Sequence, residues 1–180
     1  MRNFAILSLA LLAGLMLMAT PEDARAGKDE NTLFMDLKYG RVEIKLRTDL
    51  APKHVARIKK LVREGFYDGI VFHRVIEGFM AQSGDPTGTG TGGSSYPDLK
   101  AEFTSAPYVR GTLGMARSSS PNSANSQFFI TFRSAEFLDG KYTVWGKVIK
   151  GMEFVDMIAR GEPPANPDKI LKMQIAADVK

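Results

Sequence analysis

Hydrophobic and polar positions alternate along much of this chain, and the places where the period changes mark its elements. Leu33, Met35 and Leu37 share one face of residues 32–37. After a Lys38-Tyr39-Gly40-Arg41 turn, Val42, Ile44 and Leu46 alternate with Glu43, Lys45 and Arg47. A period of two on both sides of a tight turn predicts a β-hairpin with one buried face. The period then lengthens. Val55, Ile58 and Val62, with Leu61 beside them, recur at helical spacing, while Lys53, Arg57, Lys59, Lys60 and Arg63 occupy the other sides. This predicts a helix with Thr48-Asp49 as its cap, Pro52 in its first turn and Gly65 as its stop.

Short apolar segments separated by turn residues follow at 70–76, 80–83, 112–116, 127–132 and 143–149. A second short helix is predicted over 152–160, ending at Gly161. Pro163, Pro164 and Pro167 then force an extended loop, and 170–175 is a candidate closing strand. Many short strands with few helices argue for a closed antiparallel barrel or a sandwich, and periodicity alone does not choose between them. No internal repeat and no second-domain boundary interrupts the pattern.

The first 26 residues follow a different pattern. Arg2 precedes an apolar run over 4–18 broken only by Ser8 and Gly14, and Ala24-Arg25-Ala26 supplies small residues at a cleavage site. This predicts a signal peptide over 1–26, a single domain over 27–180, and export to the periplasm or beyond the cell. The run is short for a span of about 20 apolar residues and leads into Glu22 and Asp23, which favours cleavage over anchoring. With no Cys in the chain, a lipid anchor, a disulfide framework and thiol chemistry are all excluded. No second long apolar run follows, so no membrane attachment is expected after cleavage. The net charge of +4 comes from Lys and Arg scattered among acids, which describes a solvated surface rather than a nucleic-acid footprint.

Several motifs promise chemistry without its context. Gly88-Thr89-Gly90-Thr91-Gly92-Gly93 satisfies G-x-G-x-x-G, but Ser94-Ser95-Tyr96-Pro97-Asp98 cannot open the helix that a dinucleotide site needs. A flexible loop is the better account. His54 and His73 are the only histidines, too few for a zinc site without Cys. His54, in the cationic helix, is expected to be exposed, and His73, in an apolar strand, to be a satisfied structural histidine. Ser118-Ser119-Ser120 lacks the strand-turn-helix setting of a nucleophilic serine. No cofactor and no metal is implied.

Two further segments carry the functional reading. Phe72-His73-Arg74-Val75-Ile76-Glu77-Gly78-Phe79-Met80-Ala81-Gln82-Ser83-Gly84-Asp85 gathers an arginine, two large apolar side chains and an amide around a Glu-Gly turn. Asn125-Ser126-Gln127-Phe128-Phe129-Ile130-Thr131-Phe132 follows about forty residues later. Taken singly, Phe79, Met80, Phe129 and Leu138 read as core, and Arg74, Gln82 and Gln127 as surface. Alternation places Met80 with Gln82 on one face, and Gln127 with Phe129 on one face opposite Phe128, Ile130 and Phe132. A face that mixes an amide with an aromatic ring suits a binding groove better than a core.

These segments resemble the two halves of the active site of the cyclophilins, the peptidyl-prolyl cis-trans isomerases. The resemblance extends in order through Phe66-Tyr67-Asp68-Gly69, Gly84-Asp85, Gly114-Met115-Ala116, Ser126-Gln127-Phe128-Phe129, Leu138-Asp139-Gly140-Lys141 and Val144-Trp145-Gly146-Lys147-Val148. Residues 161–168 resemble the bacterial exported branch. The resemblance implies a closed eight-stranded antiparallel β-barrel capped by two α-helices. It implies isomerisation of X-Pro bonds in unfolded or flexible segments of exported proteins, by a monomer. Arg74 is the implied catalytic residue, with Gln82 beside it. Phe79, counted with Arg74 and Gln82 as catalytic, forms the implied proline pocket with Met80, Phe129, Leu138 and Tyr142. Ala116, Arg117, Gln127 and Phe137 are expected to help hold the peptide. The alternatives are a proline-peptide binding module or holdase that needs no catalysis, and an interaction barrel with a vestigial groove. Arg74 favours the enzyme.

The sequence departs from the family pattern at the rim. Phe137 stands where many members carry Trp, which predicts weakened binding of cyclosporin-like ligands. Tyr142 replaces a His, Arg117 replaces an Asn, Ser83 replaces a Gly, and the loop over 118–126 is one residue longer.

Overall fold

The computed structural model describes residues 30–179, so the expected signal peptide lies outside the described residues. Eight strands and two α-helices follow in order: β1 Thr32–Leu37, β2 Gly40–Leu46, α1 Pro52–Arg63, β3 Arg74–Ile76, β4 Met80–Ser83, β5 Thr112–Met115, β6 Phe128–Thr131, β7 Val144–Lys150, α2 Met152–Asp156 and β8 Lys172–Ile175. The first hairpin forms as the alternation predicts. Leu33 pairs with Ile44 and Met35 with Val42, and all four side chains are buried.

All eight strands join one antiparallel sheet in the order β3-β4-β6-β5-β7-β2-β1-β8. The sheet curls into a half-barrel whose end strands, β3 and β8, share no ladder. Between the two edges run two isolated bridges, Val71 to Lys169 and Val75 to Gly161, and single bonds such as Ile170 N–H to the Ile70 carbonyl at 2.9 Å and Phe72 N–H to the Asp168 carbonyl at 2.8 Å. The expected closed barrel is therefore corrected to an open one. The strand predicted over 70–76 shrinks to Arg74–Ile76, and the segment facing it carries three prolines, which lack the N–H that a ladder needs.

The half-barrel interior is filled by large side chains, with Trp145, Tyr67, Phe72, Phe128, Leu33 and Met35 all fully buried. Phe128 sits edge-on to both Tyr67 and Trp145, at ring separations of 5.7 and 5.6 Å. Helix α1 lays Val55, Ile58, Leu61 and Val62 against β7 and β8. It ends where Gly65 adopts φ +69, as a C-terminal glycine stop should.

The start of α1 differs from expectation. Thr48-Asp49 does not cap it, because the Asp49 carboxylate is held by Arg47 at 2.7 Å and the N-cap residue is Ala51. The carboxylate of Glu102 caps it from a distant loop, accepting from the N–H groups of Lys53 at 3.1 Å and His54 at 3.0 Å. It also bonds His54 Nδ1 at 2.6 Å. His54 is fully buried, not exposed, and burial outweighs Glu102 to hold its imidazole below the ordinary histidine value. Helix α2 is shorter than the expected 152–160. The Ala159 N–H is taken by the Asp168 carboxylate at 2.9 Å, and with it goes the helical bond that would have continued the helix.

Candidate active site

Cross-strand pairing assembles the site. Arg74 on β3 is opposite Gln82 on β4, Gln82 is opposite Phe129 on β6, and Phe129 is opposite Gly114 on β5. Directly paired residues share a face, so these four positions form a row across the outer face of the sheet. Gly114, which pairs onward with Val144 on β7, carries no side chain because there is no room for one. A Cβ there would lie 2.4 Å from the Tyr108 hydroxyl and 2.5 Å from the Phe129 ring.

On this outer face Met80, Tyr108, Phe129, Ala135, Leu138 and Val144 make a second apolar cluster, separate from the interior core. Phe79, Ala116 and Tyr142 pack against it, half-buried. Phe129 stacks on Tyr108 at 5.7 Å and meets Tyr142 edge-on at 5.9 Å. Phe137 packs against Phe79 at 5.3 Å but is 61% exposed, which makes it a rim rather than a floor.

Above the cluster lies a cleft of about 1070 Å³. It is lined by Arg74, Phe79, Met80, Gln82, Ala116, Arg117, Phe129, Phe137, Leu138 and Tyr142, so all the expected site residues but Gln127 converge on it. Gln127 lines an adjoining polar cleft of about 540 Å³, which Gln82, Ala116 and Arg117 share. Sequence reasoning missed five contributions to the main cleft: His73, the Gly88–Gly90 backbone, Lys141, Glu162 and Pro163. His73 and Lys141 fall inside segments that carry the resemblance without having been assigned to the site, and the extended Pro-rich loop has to pass somewhere beside β3.

Three expected contacts differ in detail. Gln82 is opposite Arg74 on the next strand, but its amide donates to Gln127 Oε1 at 2.9 Å. Gln127 in turn donates to the carbonyls of Gly90 at 3.0 Å and Gly92 at 2.8 Å. Both N–H groups of that amide are thus spent bracing the glycine-rich loop. Arg117 turns its guanidinium onto the Tyr142 ring at 4.3 Å and donates to the carbonyls of Ser118 at 2.9 Å and Lys141 at 3.0 Å. It buttresses the wall of the cleft.

The glycine-rich loop is organised by Asp85, which sequence reasoning did not single out. Its buried carboxylate accepts from the N–H groups of Thr87 at 2.8 Å, Gly90 at 2.6 Å and Gly92 at 3.1 Å, and from the Thr87 hydroxyl at 2.8 Å. Burial alone would raise its pKa, but these donors outweigh it and bring the value down to about 2. The backbone N–H groups that could cradle a phosphate in a G-x-G-x-x-G loop thus already hold a carboxylate.

His73 lies against this loop, buried, with no hydrogen-bond partner on either ring nitrogen. It is buried as a structural histidine would be, and burial keeps it below the ordinary histidine value. Among the described residues no group of three or more His, Asp or Glu side chains could hold a metal ion, so no metal ligand is assigned. What the cleft offers chemically is an apolar floor flanked by two guanidiniums, with a hydrogen-bonded amide pair alongside. The guanidinium of Arg117 is engaged by Tyr142 and backbone carbonyls, whereas that of Arg74 is held only at Nε.

Comparison with known proteins bears directly on this arrangement. Residues 32–175 match the family model described as cyclophilin type peptidyl-prolyl cis-trans isomerase. A protein of Brucella suis named a probable peptidyl-prolyl cis-trans isomerase is 57% identical over 175 residues, covering 88% of this chain and 89% of its own. Among solved structures, cyclophilin AquaCyp293 from Hirschia baltica superposes with a TM-score of 0.78 at 28% identity, covering 91% of this chain and 83% of its own. The Cryptosporidium parvum cyclophilin type isomerase, crystallised in the presence of the dipeptide Ala-Pro, superposes at 0.75 with 33% identity, covering 80% of this chain and 98% of its own.

Proposed function

Because the chain belongs to the cyclophilin-type peptidyl-prolyl cis-trans isomerase family, we propose that its outer cleft binds an X-Pro segment and that Arg74 catalyses the twist of the peptide bond. The observation that carries this reading is the row Arg74–Gln82–Phe129, which sets a guanidinium beside an apolar floor on one face of the sheet. The Ala-Pro dipeptide present with the Cryptosporidium protein supports a proline peptide as the ligand class.

The chemistry follows from the peptide bond. Its partial double-bond character opposes rotation by about 18–20 kcal/mol, and uncatalysed X-Pro isomerisation takes tens to hundreds of seconds. Bringing that to milliseconds needs about 10⁴-fold, or roughly 5–6 kcal/mol. Twisting localises the lone pair on the proline nitrogen, and a guanidinium N–H from Arg74 can bond to it only in the twisted state. That interaction lowers the barrier without deepening either ground state. Phe79, Met80, Phe129, Leu138 and Tyr142 hold the proline ring while the preceding carbonyl swings. No proton has to leave, so the reaction asks for no nucleophile or general base. Arg serves better than Lys because its planar fork stays charged and directional.

Gln82 and Gln127 fix the glycine-rich side of the cleft through their amide pair, Arg117 stiffens Tyr142, and Ala116 borders the peptide path. Phe137 offers no indole N–H at the exposed rim, which supports weak affinity for cyclosporin-like ligands. The clients are unfolded or flexible proline-containing segments of exported proteins. The pattern of residues 1–26 supports cleavage after Ala26, with the monomeric domain released into the periplasm or medium, where it would assist folding. No helix among the described residues is long and apolar enough to cross a membrane.

The decisive experiment is X-Pro isomerisation on a short peptide, comparing the wild type with Arg74→Ala. A loss of about 10²-fold with peptide binding retained is expected, and equal rates would refute the catalytic assignment. Sequencing the mature N-terminus tests export. Gly27 as first residue is expected, and a mature chain that still starts at Met1 would overturn it.

A further inference from the structure

We infer that Glu162 is a positioning residue for Arg74, holding the guanidinium by its Nε so that both terminal nitrogens stay available to substrate. The inference rests on the catalytic assignment of Arg74. Arg74 Nε donates to Glu162 Oε2 at 2.7 Å. Among the described residues this is the only hydrogen bond on that guanidinium.

The contact differs from four arginine–aspartate pairs among the described residues. Arg41 grips Asp36, Arg47 grips Asp49 and Arg63 grips Asp178 through Nε and Nη2 together, and Arg110 grips Asp156 through both Nη groups. A two-point grip of that kind on Arg74 would occupy a terminal nitrogen that the twisted amide needs. A single contact at Nε restrains the side chain and keeps both Nη groups free. Arg160 also holds Glu77 through Nε alone, but its Nη1 is taken by the Ile158 carbonyl, whereas neither terminal nitrogen of Arg74 is engaged.

The backbone places the carboxylate there. Val75 and Gly161 exchange both hydrogen bonds, at 2.7 and 2.9 Å, so Glu162 falls opposite Arg74 as a paired strand residue would. Gly161 has φ +147, and a Cβ on it would meet the Pro164 Cα at 2.5 Å, so the chain doubles back tightly at this point. Pro163 has its own φ fixed by its ring and lines the cleft beside Glu162. Stability does not explain the pair, because its side chains are 43% and 51% exposed and such pairs add little to the fold. Its effect falls on the reaction. A long side chain that is already restrained loses less freedom when the transition state forms.

The test uses the full domain and a neutral X-Pro tetrapeptide, so that no substrate charge reports on the lost carboxylate, and it resolves kcat from KM. E162A is expected to lower kcat about tenfold with KM within about twofold and an unchanged melting temperature. E162Q keeps an acceptor oxygen and is expected to recover most of that loss. It also carries the test should E162A fail to fold. In an R74A background E162A should have no further effect, because Glu162 acts through the arginine. Wild-type or raised kcat in E162A, with R74A impaired, would overturn the inference and leave the catalytic role of Arg74 standing. A rise in KM alone would also overturn it, by showing a binding role. An R74A variant as fast as wild type would remove the role of Arg74, and that of Glu162 with it.

Discussion

Phe128 and Phe129 are neighbours in sequence and serve two different cores. Phe128 is fully buried in the half-barrel interior between Tyr67 and Trp145, while Phe129 is 5% exposed on the outer face between Tyr108 and Tyr142. The floor of the cleft is almost as well buried as the interior. What separates the two regions is their covering. The interior is enclosed by the curled sheet and by α1, whereas the outer cluster is covered by half-buried side chains, Phe79, Tyr142, Leu50 and Ile76 among them, and by whatever enters the cleft. A ligand entering the cleft can therefore complete the packing of the outer cluster, and under the proposed function that ligand is a proline ring. Phe128→Ala should cost about 3–5 kcal/mol, because the enclosed site cannot collapse or fill with water. Phe129→Ala opens onto the cleft, so it should cost stability less, about 1–3 kcal/mol, and isomerase activity more. Denaturant unfolding of both variants beside their rates checks this. Equal destabilisation would mean that the outer cluster is an ordinary core that happens to border a cleft.

The interior was the more legible of the two regions. Period-two alternation in β1, β2 and β6 states which side chains point inward, and the first hairpin follows it residue by residue. The outer cluster was legible only through the resemblance. Its members come from β4, the loop before β5, β6, the turn around Glu136–Leu138 and the start of β7, and no local period links residues so far apart. The open barrel traces to prolines without an N–H, while the remaining errors share another physical cause, which is that a distant group took a local bond. The Glu102 carboxylate replaced the local cap of α1 and buried His54 with it, and the Asp168 carboxylate ended α2 early. Gln127 spent its amide on the glycine-rich loop. Propensity and pattern say where an element can begin, but tertiary hydrogen bonds decide where it does. Glu162 escaped notice for the same reason, since its partner lies 88 residues away.

Asp85 belongs to neither apolar cluster and shapes the polar side of the cleft. Its folded pKa of about 2 lies below the ordinary value of 3.8, so its contribution to stability is fully present above 3.8 and is lost as pH falls toward 2. Asp85→Asn removes the charge but keeps one acceptor oxygen for four donors. It is expected to cost about 1–2 kcal/mol and to flatten the acid limb of stability between pH 4 and pH 2 by roughly the same amount. The interior should be untouched, with the near-ultraviolet signal of Trp145 unchanged at neutral pH. Denaturant midpoints measured across that pH range provide the check, and an acid limb identical to wild type would show that the loop does not depend on the carboxylate.

The smallest expected effect concerns the wall between the two clefts. Arg117 covers the Tyr142 ring at 4.3 Å and ties it to the loop at Ser118, yet its Nε is buried without a partner. The cation–π contact contributes about 0.5–1 kcal/mol, and the orphaned Nε offsets part of that gain. Arg117→Ala should therefore change stability by no more than about 0.5 kcal/mol. Its consequence is local, because Tyr142 loses the cover on one ring face and samples more orientations against Phe129. A looser wall weakens the seat for the proline ring, so KM should rise about two- to fivefold with kcat nearly unchanged. Arg117→Lys keeps the charge but not the planar face that stacks on the ring, and should resemble the alanine variant. If lysine restored the wild-type KM, the charge of Arg117 would be what the substrate feels, and the residue would belong to the binding surface after all.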